Sequence, residues 1–311
     1  MHQPSVLVVG AGAIGALYGS ALARAGARVS VVCRSDAETV RRDGFVIRSP
    51  LLGDHTFRPQ EVLTRVASAT VYDYVVLTVK VLNGVDRAAL IAPAVTPATT
   101  IVLIQNGVDI EREIADAFVA NELVSVLAFV GVGRTGAGQI HHQSLGSLVM
   151  GTYPDGIGPA TRRLAELFES GGVSCKLTDR VIGARWQKAL WNATFNPVSI
   201  LGAVLDTGMM LRTPDDQAFI RTAMLEVARI AAAAGYEQSP QFIEQLIAGT
   251  RVMPPYKTSM ALDFEAKRPL ELEAILGNVL RIGRQHGAAT PVLDTLYALA
   301  RMVAAKNRAT D

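Results

Sequence analysis

The sequence contains little cysteine, and what it has is not arranged for covalent or metal chemistry. Its 311 residues include two cysteines, Cys33 and Cys175. Neither belongs to a CxxC pair or a Cys/His cluster, which argues against a disulfide framework and against a metal site. Both lie in apolar, strand-like segments, so we expect buried structural thiols of the kind found in a reducing cytosol.

Blocks of charge of one sign are also absent. The chain has 30 basic and 28 acidic residues, a formal net charge of +2, and no run of Lys and Arg. This balance argues against nucleic acid or a membrane surface as the main partner. A small anionic substrate is still compatible with it, because such a substrate needs only one or two local cations.

A long uncharged stretch does occur at residues 4–23, but it is interrupted by Gly10, Gly12 and Gly15. No Lys or Arg precedes it, and glycines in its middle favour a strand, a turn and a helix over a signal peptide or a membrane span. We therefore predict a soluble, cytoplasmic protein.

The length is about twice that of one typical domain, so two domains are expected. In residues 1–178, β-branched runs alternate with helical segments, which predicts an α/β fold with a Rossmann-type, doubly wound parallel sheet. The predicted strands are 5–9, 28–33, 74–79, 100–104, 123–130, 138–142, 148–151 and 173–177. Residues 179–311 show helical periodicity and few strand signals, so this second domain is predicted to be all-helical. Its predicted helices are 181–195, 218–234, 240–249, 271–286 and 291–305.

A glycine motif follows the first predicted strand and opens the first predicted helix. Alone, GxGxxG is a weak signal, but this context is typical of a dinucleotide-binding turn. Gly10 would permit the tight turn, Gly12 would let the backbone approach a pyrophosphate, and Gly15 would let helix and strand pack closely. The first N–H groups of the helix would bind the phosphates. The predicted cofactor contacts of this loop are Gly10, Ala11, Gly12, Ala13, Ile14 and Gly15.

The end of the second strand distinguishes the two nicotinamide cofactors. NAD-binding proteins usually place an acidic residue there for the ribose 2′-OH, whereas the 2′-phosphate of NADP requires a cation. This chain has Arg34, whose guanidinium can bind a phosphate through two hydrogen bonds. Asp36 lies beyond the strand end and could instead cap the next helix. We predict NADP(H) as the cofactor.

Two polar residues follow later strands. Lys80 comes directly after the strand 74–79, and Asn106 follows the strand 100–104 with one residue between. Ligands of open α/β sheets bind outside the carboxyl ends of the strands, so both residues are candidate contacts to cofactor or substrate. The dipeptide Asn106-Gly107 could also be a simple turn.

The segment 185–197 carries the clearest catalytic pattern outside the glycine loop. Lys188, Asn192 and Asn196 are spaced by four residues, so they fall along one line of a helix that is otherwise rich in Ala, Leu, Trp and Phe. Such a polar line should face a polar partner, because each unpaired buried polar group costs roughly 1–3 kcal/mol.

These residue types suit the reduction of a 2-oxo acid to a 2-hydroxy acid. A nicotinamide on the first domain would supply the hydride, and a proton must still reach the oxygen. A partly buried lysine has its pKa lowered towards neutrality and can donate that proton, so Lys188 is the candidate general acid. Ser259, near a helix start, could bind a carboxylate. Glu271 also opens a helix, where an acid is expected for structural reasons alone.

Taken together, these residues resemble the ketopantoate reductase (2-dehydropantoate 2-reductase) family. The matching positions, in order along the chain, are the GAGAIG loop, Arg34, Lys80, residues 105–107, Lys188, Asn192, Asn196-Pro197, Ser259-Met260, Asp263 and Glu271. The resemblance implies reduction of 2-dehydropantoate to (R)-pantoate, with Lys188 as general acid and Asn106 contacting both nicotinamide and substrate. It further implies Asn192, Asn196 and Ser259 as substrate ligands. Glu271, on this resemblance, is an active-site carboxylate near the nicotinamide ribose and the substrate hydroxyl.

The sequence departs from the family pattern at two acidic residues. Asp109 stands where relatives commonly carry a small or neutral residue, and Asp206 lies in a loop where relatives often place a substrate-binding Asn. A carboxylate facing an anionic substrate would repel it, so either Asp206 points away or the substrate differs.

Two other readings stay open. The first is an NADP-linked dehydrogenase of another 2-oxo, β-hydroxy or opine-type acid. The second is a nucleotide-sensing regulator without turnover, against which the intact line of Lys188, Asn192 and Asn196 argues. A homodimer is compatible with the sequence, which does not determine the oligomeric state.

Overall fold

The computed structural model describes residues 3–67 and 70–309, and the chain divides into two compact units. The first unit comprises Met1–Lys80, Val85–Gln105 and Glu111–Val181. The second comprises Ile182–Asp311 together with two short loop segments, Val81–Gly84 and Asn106–Ile110. No helix in the described part of the chain is both long and apolar enough to cross a bilayer.

A ten-stranded sheet forms the centre of the first unit, counted over the described residues. Its strands are β1 (Ser5–Val9), β2 (Arg28–Val32), β3 (Phe45–Arg48), β4 (His55–Phe57), β5 (Val62–Leu63), β6 (Tyr74–Leu77), β7 (Thr100–Ile104), β8 (Leu123–Gly136), β9 (Gln139–Thr152) and β10 (Cys175–Leu177). Its helices are α1 (Ala13–Arg24), α2 (Ala37–Asp43), α3 (Arg87–Ile91), α4 (Arg112–Ala117) and α5 (Pro159–Ser170).

Six of these strands are parallel and lie in the order β5-β2-β1-β6-β7-β8. This is the strand order of a doubly wound dinucleotide-binding sheet, so the predicted fold class is confirmed. The first strand shows why the apolar runs predicted it. Successive side chains point to opposite faces, so Val6 and Val8 pack in one core while Leu7 and Val9 pack in the other.

The far part of the sheet differs in detail from the prediction. Strands β8 and β9 form one antiparallel pair of 14 residues each, where the sequence predicted three short strands. Register shifts interrupt the pair, the first of them between Phe129 and Val130. Irregular pairing breaks the alternation of apolar and polar residues, and this is why the pattern suggested separate strands.

The second unit is helical, as predicted. Its helices are α6 (Val181–Leu201), α7 (Thr207–Met210), α8 (Pro214–Ala233), α9 (Pro240–Val252), α10 (Ser259–Glu265), a π-helical turn (Glu273–Gly277) that leads into α11 (Asn278–Gln285), and α12 (Pro291–Ala309). Helix α6 runs past Pro197, beyond the predicted end at residue 195. The short helices α7 and α10 were not predicted, because four and seven residues carry too little periodicity.

Candidate active site

The turn between β1 and α1 is built on two glycines that the fold itself requires. Gly10 has φ 94°, and a Cβ there would lie 2.5 Å from Val79 Cγ1. A Cβ on Gly15 would lie 2.6 Å from Thr78 Oγ1. That hydroxyl donates a hydrogen bond of 2.7 Å to the Gly10 carbonyl, so it ties the end of β6 to the turn. Any larger side chain at either glycine would displace this packing.

Gly12 differs from its two neighbours, because a Cβ there would meet no protein atom closer than the Gly10 oxygen at 3.9 Å. Gly12 is the N-cap of α1, and the first turn of that helix carries no acidic residue. The first-turn N–H groups of Ala13, Ile14 and Gly15 have no acceptor within the helix. An open backbone surface beside free donors at a positive helix end could hold a pyrophosphate, the ligand that the glycine motif predicts for this turn.

At the end of β2, Arg34 is exposed and Asp36 is buried. Asp36 occupies the N-cap position of α2, yet its side chain makes no capping bond. Its carboxylate instead accepts hydrogen bonds from Arg134 Nη2 at 2.7 Å, from the Gly138 N–H at 3.1 Å and from the Ser35 hydroxyl at 2.7 Å. The carboxylate that could have bound a ribose 2′-OH is therefore already engaged, and Arg34 is the charged side chain exposed at this strand end.

The carboxyl ends of β6 and β7 are joined by a hydrogen-bonded chain that sequence reasoning missed. Gln105 donates through Nε2 to the Val79 carbonyl at 2.6 Å and accepts from Arg87 Nη1 at 3.0 Å. Arg87 in turn pairs with Glu113 at 2.6 Å. Lys80, the predicted contact, directly follows Val79 and is partly buried. No sequence motif connects Arg87 with Gln105, because only the fold brings the start of α3 next to the end of β7.

In the second unit, the structure brings together three of the predicted site residues. The Lys188 ammonium donates a 2.9 Å hydrogen bond to Asn106 Oδ1. The pKa of Lys188 is lowered to about 7, mainly because the group is buried and also because Arg185 is nearby, while the Glu271 carboxylate acts in the opposite direction. Glu271 Oε1 also accepts from the Val81 N–H at 2.9 Å. A lysine of this pKa exchanges protons readily near neutral pH.

The segment that carries Asn106 is held by the π-helical turn and α11. The Val108 N–H donates to the Ala274 carbonyl at 3.0 Å, and Asn278 Nδ2 donates to the Val108 carbonyl at 2.8 Å. Asp109, in the left-handed region at φ 55°, pairs with Arg281 at 2.6 Å. This ion pair gives a structural reason for the acidic residue at 109, which departs from the family pattern. The contacts of Val108 and Asp109 thus fix the segment that carries Asn106, whose side chain also accepts a hydrogen bond from Lys188.

The other predicted substrate ligands lie along α6 and at the start of α10. Asn192 is partly buried, and its side chain has no partner among the described residues. Asn196 is buried and accepts from the Met260 N–H at 3.3 Å through Oδ1, which fixes the start of α10 beside it. Thr258 is the N-cap of α10, and Ser259, the first residue of that helix, is exposed. The polar line of α6 and Ser259 therefore supply amide and hydroxyl groups to one region.

The structure gives Asp206 a helix-capping role instead of a substrate-binding one. It is the N-cap of α7, and its carboxylate accepts from the Met209 N–H at 2.8 Å. A capping carboxylate is directed at its own helix. Of the two alternatives for Asp206, the structure therefore favours the one in which its carboxylate does not face the substrate.

Two family models match the chain. Residues 6–155 match "Ketopantoate reductase PanE/ApbA", and residues 180–304 match "Ketopantoate reductase PanE/ApbA C terminal". Together they cover most of both units.

Individual proteins give the same picture. A 2-dehydropantoate 2-reductase of Nostoc sp. is 30% identical over 313 residues, which cover 99% of this chain and 98% of that protein. The crystal structure of 2-dehydropantoate 2-reductase from Methylococcus capsulatus is 47% identical with a TM-score of 0.91, over 97% of both chains. A D-mandelate dehydrogenase solved with NADH and anilino(oxo)acetate has a TM-score of 0.88 at 22% identity, over 97% of this chain and 99% of that chain. At that identity the likeness is one of fold alone.

Proposed function

The chain belongs to the ketopantoate reductase family, and we propose that it reduces 2-dehydropantoate to (R)-pantoate with NADPH, on the route to pantothenate and coenzyme A in the cytoplasm. It is an oxidoreductase that acts on a CH–OH group. The observation that carries the proposal is the hydrogen bond from Lys188 to Asn106, in which the lysine has a pKa of about 7.

Lys188 acts as the proton donor. When bound, the reduced nicotinamide supplies a hydride to C2 of the 2-oxo acid. The protonated Lys188 stabilises the negative charge that develops on the carbonyl oxygen and transfers its proton there, which completes the hydroxyl group. Neutral Lys188 then regains a proton from solvent. Its lowered pKa makes the transfer favourable near neutral pH, where a surface lysine would hold its proton too tightly.

Asn106 directs the lysine, and the remaining residues hold the substrate. Asn106 Oδ1 fixes the ammonium group in one direction. Asn192 offers an amide donor and acceptor to the substrate oxygens. Asn196 offers its Nδ2 donor, since its Oδ1 already accepts from the Met260 N–H. The hydroxyl of the exposed residue Ser259 binds the substrate carboxylate. The carboxylate of Glu271 balances the charge of Lys188 and accepts from the substrate hydroxyl and the nicotinamide ribose.

The cofactor is NADP(H), held by the first unit. The backbone of Gly10, Ala11 and Gly12 and the first turn of α1 bind the pyrophosphate, and Lys80 contributes a further cation. Arg34 binds the 2′-phosphate. The open backbone at Gly12 and the engaged carboxylate of Asp36 support this assignment.

The experiment that tests the function follows NADPH oxidation with 2-dehydropantoate and with a panel of other 2-oxo acids, including phenylglyoxylate. We expect kcat/KM for 2-dehydropantoate to exceed that of every other acid in the panel. A higher value for another acid would assign a different substrate to the same chemistry. NADPH binding without turnover on any acid would favour the regulator reading and contradict the proposal.

Arg34→Asp tests the cofactor assignment. We expect KM for NADPH to rise by about tenfold or more, because a phosphate loses a charged donor and meets a carboxylate. KM for NADH should fall or stay level, since Asp can accept from a ribose 2′-OH. The measurement is the ratio of kcat/KM for the two cofactors. An unchanged ratio would remove Arg34 from cofactor selection.

A further inference from the structure

We propose that Arg134 is a second cation for the 2′-phosphate of NADP(H), acting beside Arg34 and held in place by Asp36. The inference rests on the proposed use of NADP(H) and adds a cofactor-binding residue to it. Arg134 lies near the end of β8, in a hairpin that carries no cofactor motif.

The ion pair with Asp36 fixes only part of the Arg134 guanidinium. Nη2 donates to Asp36 Oδ1 at 2.7 Å, and the Asp36 side chain is 6% exposed while that of Arg134 is 40% exposed. The remaining guanidinium nitrogens have no partner within the described part of the chain. Asp36 itself cannot swing away easily, because the Gly138 N–H and the Ser35 hydroxyl also bind it. An anchored arginine with free donors is well suited to bind an anion.

The Arg134–Asp36 ion pair lies at the strand end where the adenosine ribose of the cofactor is expected to bind. Asp36 lies two residues after Arg34, at the strand end where the ribose of a dinucleotide binds in this fold. The Cys33 thiol lies among the same charges. Burial raises the pKa of Cys33, the Asp36 carboxylate raises it further, and the Arg41 and Arg134 guanidinium groups lower it. Arg134 therefore places positive charge close to the end of β2, although 100 residues separate it from Arg34.

The charges explain why one arginine is insufficient at this strand end. A phosphate monoester carries about −1.5 to −2 charges at neutral pH. An unmatched Asp36 carboxylate would repel it. Arg134 neutralises Asp36 and still presents free donors, so the net charge facing the phosphate is positive. Arg41 is less suited, because its Nε and Nη2 both donate to the Val62 carbonyl at 3.0 and 2.9 Å.

The test compares two ligands that differ only by the 2′-phosphate, 2′,5′-ADP and 5′-AMP, in calorimetric titrations of wild type and Arg134→Met. We expect Arg134→Met to weaken binding of 2′,5′-ADP and NADPH by about tenfold, as for the loss of one charge-assisted hydrogen bond. Binding of 5′-AMP and NADH should change by less than about twofold, since neither carries the group that Arg134 binds.

Arg41→Met is the matched control, because it removes the same charge from the same neighbourhood while the Nε and Nη2 donors of Arg41 are already engaged by the Val62 carbonyl. In this variant the preference for 2′,5′-ADP over 5′-AMP should stay within about threefold of the wild-type preference, because only one partly screened charge is lost. The double variant Arg134→Met, Asp36→Asn tests whether Arg134 contacts the 2′-phosphate or only neutralises the Asp36 carboxylate. Loss of 2′,5′-ADP affinity in that double variant supports contact.

Three results would overturn the inference, and a fourth concerns the cofactor itself. Equal losses for 2′,5′-ADP and 5′-AMP, full recovery in the double variant, or no loss in Arg134→Met would each remove Arg134 from phosphate binding. A wild-type protein that does not prefer 2′,5′-ADP over 5′-AMP would instead refute the NADP(H) assignment, so the two failures are distinguishable. None of these titrations depends on the identity of the 2-oxo acid.

Discussion

Lys188→Ala should lower kcat by about two orders of magnitude or more, while the folded protein keeps its affinity for NADPH. The substitution removes both the proton donor and the ammonium charge that stabilises the developing alkoxide. The cofactor contacts assigned to the first unit are untouched, so NADPH titration by fluorescence should give a Kd within about twofold of wild type, a difference below 0.5 kcal/mol.

Lys257→Ala is the control for this prediction. Lys257 also lies in the second unit, but it is exposed and pairs with Glu265 on the surface. We expect near-normal turnover from it, because exposed ion pairs contribute little. Unchanged kcat in Lys188→Ala would remove the lysine from the mechanism. Loss of kcat together with loss of NADPH binding would indicate a folding defect instead.

The pH dependence of wild-type turnover follows from the same lysine. A general acid must be protonated to act, and the pKa of Lys188 is lowered to about 7, chiefly by burial. In the direction of reduction, kcat should therefore be level below about pH 7 and fall above it. In the direction of oxidation the neutral amine is the active form, and the profile should rise over the same range. Asn106→Ala removes an acceptor that favours the charged form, so it should move the midpoint of both profiles to lower pH.

Gly12→Ala should weaken NADPH binding by about a hundredfold, or roughly 2.7 kcal/mol, with little change in thermal stability. Gly12 has φ −78°, which alanine adopts without strain, and the added methyl group would meet no protein atom closer than 3.9 Å. The methyl group would instead occupy the space through which a pyrophosphate approaches the backbone. The measurements are Kd by titration and Tm by calorimetry.

Alanine substitutions at two other glycines serve as controls for the Gly12→Ala prediction. Gly15→Ala should lower Tm, because its Cβ would lie 2.6 Å from Thr78 Oγ1 and 2.9 Å from the Gly10 oxygen. Gly133→Ala, in β8 with no atom within 4 Å of its Cβ, should change neither Tm nor Kd. If Gly12→Ala binds NADPH as tightly as wild type, the pyrophosphate does not lie over this turn. A fall in Tm as large as that of Gly15→Ala would make Gly12 structural.

Much of the fold could be predicted because its signals are local. The strands β1 and β7 and the helices α1 and α6 were found from periodicity within about a dozen residues. The strands β3, β4 and β5 were missed, since two to four residues on a half-exposed surface carry no period. Helix α6 was predicted too short, because Pro197 is a helix-ending signal that tertiary packing overrode.

The candidate site also contains features that the sequence predicts locally and features that depend on the tertiary structure. By itself the sequence determined the glycine turn and the polar line of Lys188, Asn192 and Asn196, since helical spacing places such residues on one face whatever surrounds them. Only the tertiary structure decided that Lys188 meets Asn106 across 82 residues and that Asp36 is engaged by Arg134 across 98. Burial and charge set what each group can do, by lowering the pKa of a lysine and neutralising a carboxylate. Both depend on residues distant in sequence, and no local pattern encodes that proximity.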